Sequence, residues 1–252
     1  IGGDTNGDGS ASFPVAGNYF GIYFYPGSSG VFDNAVFRYG GFEYFPNHFG
    51  VIKNEGGNVS LANSQVIDNY GFGIYQGLGT TTIASLGFSN NGSAGIHVYY
   101  GGDLTVTNST FSGHLSNDIQ VYSSPYVNFL QSNNVSIGGG PHGIRMVGTA
   151  SAYQVWNPGL VYVIQLLFDV PANKTLVITP GTIVKFQPFG SNTSYMSIYG
   201  SLLLSGVSGS YFSPNVPPGS GSNASFNNNS GSSQATSSSK VYFTSIYDDG
   251  VG

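Results

Sequence analysis

The sequence predicts an all-β solenoid in which short strands stack coil upon coil. A pair made of Gly or Asp followed by Val or Ile returns every 22 to 25 residues between residues 50 and 144. Between these pairs, apolar and polar residues alternate over four or five positions, which is the periodicity of a strand. Because so short a strand cannot bury its apolar face alone, each coil must stack on the next one.

The repeated pairs define the expected interior of the solenoid. They are Gly50-Val51, Gly73-Ile74, Gly95-Ile96, Asp118-Ile119 and Gly143-Ile144. The arrangement that fits them is a parallel β-helix, whose first inward column we expect to contain Ile22, Val51, Ile74, Ile96, Ile119 and Ile144. A second inward column is expected to contain Phe24, Val98, Val121 and Met146.

Polar residues keep the same spacing and predict columns of their own. A serine column is expected at Ser64, Ser85, Ser109 and Ser132. Amide ladders near the turns are expected in two sets, Asn63, Asn108 and Gln131, then Asn69, Asn90 and Asn133. The outward positions of the first strands predict a flat and exposed aromatic stripe of Tyr23, Ile52, Tyr75, His97, Gln120 and Arg145, joined by Tyr25, Tyr99 and Tyr122.

The composition limits the classes of partner. The 252-residue chain has six Lys and Arg, a net charge of −5 and no Cys. This charge excludes an electrostatic footprint for nucleic acid or for an anionic membrane. The absence of Cys excludes a disulfide framework and a thiolate metal site. The longest nearly apolar run, 160–170, is too short to span a bilayer, so we expect no membrane insertion.

The chain is expected to form one domain, 1–252. Within it we predict a calcium-type loop at 1–20, regular coils at 21–149 and a second set of coils at 150–252. The second set includes the stretch 206–239, which is rich in Gly, Ser and Asn and is expected to be a flexible surface loop. Counting strands predicts nine or ten coils and an axial length of about 42–49 Å.

The residues near the start resemble a calcium-binding loop. Asp4, Asn6 and Asp8 alternate and are followed by Gly9, which is how hard oxygen ligands are arranged around Ca²⁺. The twelfth position, where such a loop has its bidentate Glu, is Val15. The loop must therefore find another carboxylate, unless it is a tight turn that binds no metal.

Eight Asn-x-Ser/Thr triplets predict candidate sites for N-linked glycans in an extracellular protein. A composition rich in Ser and Asn is the alternative explanation for them. The candidate asparagines are Asn58, Asn91, Asn108, Asn134, Asn173, Asn192, Asn223 and Asn228.

Four motifs in the last third of the chain carry a resemblance to a known family. They are the segment 170–186, Gly200-Ser201-Leu202, the element Val241-Tyr242-Phe243-Thr244-Ser245 and the pair Asp248-Asp249. Together they resemble the module of right-handed parallel β-helix repeat proteins on bacterial surfaces, within the pectate-lyase-like superfold. In that family these elements are followed by a Gly-Gly-Asp-x-Asn-x-Asp-Gly loop, which here lies at the start of the sequence.

This circular order implies that the chain is one period of a head-to-tail array of copies of itself, either tandem repeats or separate protomers. Under this interpretation Asp248 and Asp249 of one copy complete the calcium site of Asp4, Asn6 and Asp8 in the next. We therefore expect a structural repeat unit of an extracellular or cell-surface fibre. The alternatives are a carbohydrate-binding adhesin module, which would use the aromatic stripe, and a polysaccharide lyase or hydrolase.

The enzyme alternative has little support from the residues. Inverting hydrolases need two carboxylates that face one groove, and no two acidic residues of the coils share an outward position on neighbouring coils. Gly140-Pro141-His142-Gly143-Ile144-Arg145 resembles the Gly-His-Gly and Arg-x-Lys elements of polygalacturonases only in part, since the Lys is missing. His48, His97, His114 and His142 lack the spacing of zinc ligands. We therefore expect no catalytic residues and no enzymatic activity.

Overall fold

The computed structural model describes residues 7–9, 11–42, 50–123, 127–138, 142–151, 153–204, 211–212 and 241–247. Every strand pairing within these ranges is parallel, except that the two-residue strand Tyr211–Phe212 pairs antiparallel with Ser201–Leu204. The chain is therefore an all-β, right-handed parallel β-solenoid, as the sequence predicts. The described strands form three sheets: a 13-stranded sheet on the first and second faces of the solenoid, a five-stranded sheet on the third face, called the third sheet below, and a separate four-stranded sheet.

The first five coils are regular, and each covers three faces of the solenoid. In the second and third coils one 13-residue strand covers two of the faces. The strands are β1 Ile22–Phe24, β2 Ser29–Asp33 and β3 Val36–Arg38; β4 Gly50–Ala62 and β5 Gln65–Ile67; β6 Phe72–Ala84 and β7 Gly87–Ser89; β8 Ile96–Val98, β9 Gly102–Thr107 and β10 Thr110–Ser112; and β11 Ile119–Ser123, β12 Val127–Ser132 and β13 Val135–Ile137.

The third face changes its partners after the fifth coil. The third sheet ends at β13, and the strand Tyr153–Trp156 of the sixth coil pairs with Thr175–Ile178 in the four-stranded sheet. The strands of this part are β14 Ile144–Thr149, β15 Tyr153–Trp156, β16 Tyr162–Val170, β17 Thr175–Ile178, β18 Ile183–Gln187, β19 Tyr195–Ile198, β20 Ser201–Leu204, β21 Tyr211–Phe212 and β22 Tyr242–Ser245.

The prediction of nine or ten coils was too high, because the solenoid has about six. The first face nevertheless continues beyond them, through β16, β18 and β22, so nine strands stack along it. The sequence-based count treated every later strand as a full coil. Within the predicted loop 206–239, Tyr211–Phe212 forms β21 against β20. The other residues of this loop lie outside the described part of the chain.

One inward column runs through all nine strands of the first face, and we call it the core ladder. Its members, in register, are Ile22, Ile52, Ile74, Ile96, Ile119, Ile144, Tyr162, Val184 and Phe243. The placement of Val51 in this column was wrong, and so was the outward placement of Ile52. The first Gly-Val pair is offset by one residue, because Ile52 pairs with both Ile22 and Ile74.

The second inward column contains the predicted Phe24, Val98, Val121 and Met146, in register with one another. Between Phe24 and Val98, however, the column holds Asn54 and Gln76, both fully buried. Their amides are satisfied inside the solenoid: Asn54 Nδ2 donates to Thr81 Oγ1 at 3.0 Å and Gln76 Nε2 donates to Leu78 O at 2.8 Å. Buried polar groups with such partners do not carry the cost of an unmade bond.

Asparagine also shapes the corners of the coils. Backbone φ is positive, between 48° and 60°, at the residue that ends the second face in each of the first five coils: Asn34, Asn63, Ser85, Asn108 and Asn133. Asn tolerates this left-handed conformation better than most residues do, which explains why it recurs there. The serine column was therefore wrong in part, since Ser85 belongs to this set whereas Ser64 and Ser109 lie one position later.

The amide ladder also differs from the predicted sets. It consists of Gly40, Asn69, Asn91 and His114, which we call the polar column. Gly40 N donates to Asn69 Oδ1 at 3.0 Å, Asn69 Nδ2 to Asn91 Oδ1 at 2.9 Å and Asn91 N to His114 Nδ1 at 3.3 Å. Asn90, Asn133 and Gln131 lie outside the polar column. The repeat spacing by itself did not show which of two adjacent residues has its side chain in the column.

Candidate functional site: the open ends of the solenoid

The two ends of the core ladder differ from its middle. The seven members from Ile52 to Val184 have no exposed surface, whereas Ile22 is 38% exposed and Phe243 is 37% exposed. Each end residue has a neighbouring coil on one side only, because β1 pairs with β4 and β22 pairs with β18 among the described strands. The solenoid therefore presents apolar core positions at both ends.

The backbone at the ends has the same character. Since a parallel strand uses alternate N–H and C=O groups on each of its edges, β1 and β22 each leave one edge without a strand partner in the described part of the chain. An unpaired strand edge is a template for pairing with another chain. The ends therefore combine partly exposed apolar side chains with a strand edge that has no strand partner among the described residues.

The predicted calcium ligands lie near these ends in the sequence. Asp4, Asn6, Asp248 and Asp249 lie outside the described residues. Asp8 is described: its carbonyl accepts a hydrogen bond from Ala11 N at 3.2 Å, and its Oδ2 accepts one from Ser12 Oγ at 2.6 Å. Within the described ranges, no group of three or more His, Cys, Asp or Glu side chains could hold a metal ion.

The predicted glycan sites divide into three groups. Asn58, Asn108, Asn173 and Asn192 are exposed, whereas Asn223 and Asn228 lie outside the described residues. Asn91 and Asn134 are buried, and their Nδ2 atoms donate to Val66 O at 3.0 Å and to Val106 O at 2.9 Å. A glycan on either nitrogen would need the space that the neighbouring coils fill, so the folded chain cannot carry one at these two positions.

The outward row of the first face was predicted to be an exposed aromatic stripe. Its members in register are Tyr23, Lys53, Tyr75, His97, Gln120 and Arg145. The prediction was wrong for the centre of the row, since Tyr75, His97 and Gln120 are all buried. The rings cover one another: Phe72 stacks on His97 with centroids 4.2 Å apart, and Tyr122 lies 5.3 Å from the same ring. A ligand therefore has little access to the middle of this row.

A polar cluster lies beside the last strand of the third sheet. Asp118 is almost fully buried, and its Oδ2 accepts a hydrogen bond from Gly143 N at 2.7 Å. His142 Nδ1 lies 2.6 Å from Ser136 Oγ and 3.7 Å from Asp118 Oδ1, while Nε2 lies 2.5 Å from Gly138 O. Burial raises the pKa of the Asp118 carboxyl, and the Gly143 N–H opposes that rise.

This cluster borders an open cleft of about 670 Å³, lined also by Val135, Leu160 and Val161. Its geometry does not match a nucleophilic triad, because Ser136 and Asp118 approach the same nitrogen of His142. Ser136 occupies the inward position that Phe37, Val66, Phe88 and Phe111 hold in the earlier coils. We therefore interpret the cluster as a polar closure of the interior at the place where the third sheet stops. Asp118 and Gly143 are one coil apart in the sequence, and this spacing could have predicted that they lie next to each other on neighbouring coils.

His114 ends the polar column in a buried site. Burial, and after it the nearby His142, lower the pKa of His114 to about 4, while the hydrogen bond with Asn91 N opposes this fall. Its Nε2 has no hydrogen-bond partner within the described residues. The ring is therefore neutral at physiological pH and accepts a hydrogen bond through Nδ1.

These features define the class of protein: a right-handed parallel β-solenoid whose first and last described ladder positions, Ile22 and Phe243, are partly exposed. The family described as right handed beta helix region matches residues 13–157, which is more than half of the chain. The chain belongs to this family. No curated protein and no solved structure matches the sequence. No helix in the described part of the chain is long and apolar enough to cross a membrane.

Proposed function

We propose that the chain is a structural unit of an extracellular surface fibre, in which copies stack head-to-tail through the open ends of the solenoid. The observation that carries this proposal is the exposure of Ile22 and Phe243, the two end members of a ladder that is otherwise fully buried. Phe243 of one copy stacked on Ile22 of the next would continue the ladder, and burying both apolar side chains would favour the contact.

The repeat length of such a fibre follows from strand spacing. Nine strands stack along the first face, and neighbouring strands lie about 4.7–4.9 Å apart, so each copy adds about 42–44 Å. Backbone pairing between β22 of one copy and β1 of the next would continue the parallel sheet across the joint. The joint would then resemble any other coil boundary of the solenoid.

Calcium and glycans belong to the same proposal. Asp4, Asn6 and Asp8 of one copy, together with Asp248 or Asp249 of the preceding copy, would supply oxygen ligands to a Ca²⁺ ion at the joint. N-linked glycans would be carried by the exposed Asn58, Asn108, Asn173 and Asn192, with Asn223 and Asn228 as further candidates. Neither part of the proposal involves a catalytic step, so we propose no enzymatic activity.

The proposal is tested by charging one end of the ladder. The wild-type protein is expected to form filaments with an axial repeat of about 42–44 Å in electron micrographs. Ile22→Lys and Phe243→Asp should each abolish them, because the joint would bury an unpaired charge. Val31→Lys is the matched control, since Val31 lies in the same first coil but is 81% exposed and faces outward.

Mixing the two end variants sharpens the test. The intact Phe243 end of the Ile22→Lys protein and the intact Ile22 end of the Phe243→Asp protein can still form one normal joint. The mixture should therefore contain dimers in analytical ultracentrifugation, and each variant alone should be monomeric. A wild-type protein that remains monomeric at high concentration with calcium present would overturn the proposal. Filaments that keep their length in chelator would remove only the calcium site.

A further inference from the structure

The fifth and sixth coils are joined differently from the coils before them. The fourth and fifth coils pair on all three faces, through β8 with β11, β9 with β12 and β10 with β13. The fifth and sixth coils form a ladder on the first face, between β11 and β14. On the second face β15 lies beside β12 but forms no ladder with it among the described strands, and the third sheet ends at β13. We call this place the coil boundary.

Side chains replace the missing ladders at the coil boundary. Gln131 is buried near the end of β12, and its Nε2 donates to Asn157 O at 2.6 Å and to Tyr162 OH at 3.1 Å. Its backbone carbonyl accepts a hydrogen bond from Asn157 Nδ2 at 3.4 Å. Just before β11, the buried Asp118 accepts one from Gly143 N at 2.7 Å. One glutamine and one carboxylate therefore supply connections that strand pairing supplies elsewhere in the solenoid.

The sixth coil also holds most of the buried polar side-chain atoms that lack a hydrogen-bond partner in the described part of the chain. They are Arg145 Nε, Ser151 Oγ, both polar atoms of the Gln154 amide and Trp156 Nε1. The residue beside Gln154 on β17 is Leu176, which is apolar and cannot satisfy the amide. A buried polar group without a partner has given up its hydrogen bonds to water. The closed boundary carries this cost, and opening it would return these groups to water.

An open cleft brings solvent to the same place. The cleft of about 670 Å³ is lined by Val135 of the fifth coil and by Leu160 and Val161 of the sixth. The stability of a solenoid is approximately a sum of terms between neighbouring coils. A weak term between two coils therefore divides the stack into parts that open separately.

We propose that the coil boundary is a weak joint at which the solenoid opens, so that the chain unfolds as two units. The first unit is formed by the first five coils, whose strands pair on three faces. The second unit is formed by the strands from β14 to β22, which pair only within the 13-stranded and four-stranded sheets. The second unit opens first, because fewer strand pairings hold each of its coils. This device belongs to the single chain and does not rest on the proposed fibre.

The one Trp of the chain makes the two units separately visible. Trp156 lies in the sixth coil, is buried and stacks on Tyr162 with ring centroids 4.5 Å apart. Its fluorescence therefore reports the second unit, whereas circular dichroism reports the strands of both. In the full chain carrying Ile22→Lys, the Trp156 emission should change at a lower urea concentration than the main loss of circular dichroism. A single transition that coincides by both probes would overturn the proposal.

Ile22→Lys is used because it lies on β1, away from the coil boundary, and blocks the proposed stacking. The result therefore concerns one chain whether or not the fibre proposal holds. Failure of the fibre proposal would leave two transitions in place, and a single transition would leave filament formation by the wild-type protein unaffected.

Two identical substitutions, each made in this chain, then test the cause of the weakness. Gln154→Leu should raise the midpoint of the first transition by roughly 0.5–1 M urea, because it removes a buried amide without a partner. Gln131→Leu is the matched control and should lower the midpoint, because Asn157 O and Tyr162 OH lose their donor. A midpoint lowered by both substitutions, or by neither, would overturn the proposal.

Hydrogen exchange decides the question if either glutamine variant fails to fold. In the chain carrying only Ile22→Lys, under native conditions, the amides of β16 and β17 should exchange about tenfold faster or more than those of β6 and β9. Equal protection of the two units would show that the coil boundary does not open separately and would overturn the proposal.

Discussion

The middle and the ends of the core ladder are built from the same kinds of residue, but they differ in burial. Ile96 lies between two coils and is fully buried, whereas Ile22, in the same ladder, is 38% exposed and has a paired strand on one side only among the described residues. The stability of each coil in a solenoid comes largely from its neighbours. The difference therefore teaches that residue type does not decide the role of a ladder position: the middle stabilises the fold, whereas the ends are the positions at which the proposed fibre would make its contacts.

The polar column shows the same contrast. Its inner members, Asn69 and Asn91, bond to the coils before and after them. His114, at one end of the column, accepts a bond from Asn91 N but has no described partner for Nε2. The amides of Asn69 and Asn91 are hydrogen-bonded on both sides and so connect neighbouring coils. His114, at the end of the column, is a titratable group in a buried site.

The largest expected effect compares two identical substitutions in the core ladder. Ile96→Ala should lower the free energy of unfolding by about 2–5 kcal/mol, because it removes buried methyl groups and leaves a cavity. Ile22→Ala should cost less than about 1 kcal/mol in the monomer, because its side chain is already partly in water. Urea unfolding followed by circular dichroism, at concentrations below association, measures both. Equal losses would show that the ends are as well packed as the middle.

The next effect concerns the inner polar column. Asn91→Ala should cost about 2–4 kcal/mol, because Asn69 Nδ2 loses one of its two acceptors and the buried carbonyl of Val66 loses the Asn91 side-chain donor. Asn90→Gly is the neighbouring control: Asn90 is exposed, and glycine adopts its φ of 52° readily. We expect the control to stay within about 0.5 kcal/mol of wild type. A similar cost for both variants, again in urea, would contradict the structural role of the column.

The smallest effect is the pH dependence that His114 contributes. Its pKa is about 4 in the folded state, below the ordinary value of 6.5, so the unfolded chain binds the proton first as the pH falls. The contribution is therefore fully present above about pH 6.5 and is lost as the pH falls through about 4, by up to about 3 kcal/mol.

The reference for this measurement is His114→Asn, since an Asn at this position can accept the bond from Asn91 N, as Asn69 and Asn91 do for their own neighbours. The stability of wild type relative to this variant should fall between pH 6.5 and 4. The raised pKa of Asp118 acts in the opposite sense, but both proteins contain Asp118, so its contribution cancels unless the substitution changes it. A constant difference across this range would show that His114 does not stay neutral in the fold.

Repetition made the solenoid predictable. The spacing of Gly73-Ile74, Gly95-Ile96 and Asp118-Ile119 predicted the coil length and most of the core ladder, and the structure confirms the register of these pairs. The reason is physical, since stacked coils place equivalent residues above one another and so impose similar requirements on each. Strand alternation within each coil then assigned Val98, Val121 and Met146 to the interior.

The sequence by itself determined that this chain is a parallel β-solenoid, because a local strand pattern and its period together admit few other folds. It did not determine the one-residue offset of Ile52, the choice of Asn91 over Asn90 for the polar column, or the burial of Tyr75 and His97. Each of these depends on which way a side chain faces and what covers it, and only the stacked coils decide that. The exposure of Phe243 likewise depends on which of the described strands lie beside it in three dimensions, which a linear sequence does not display.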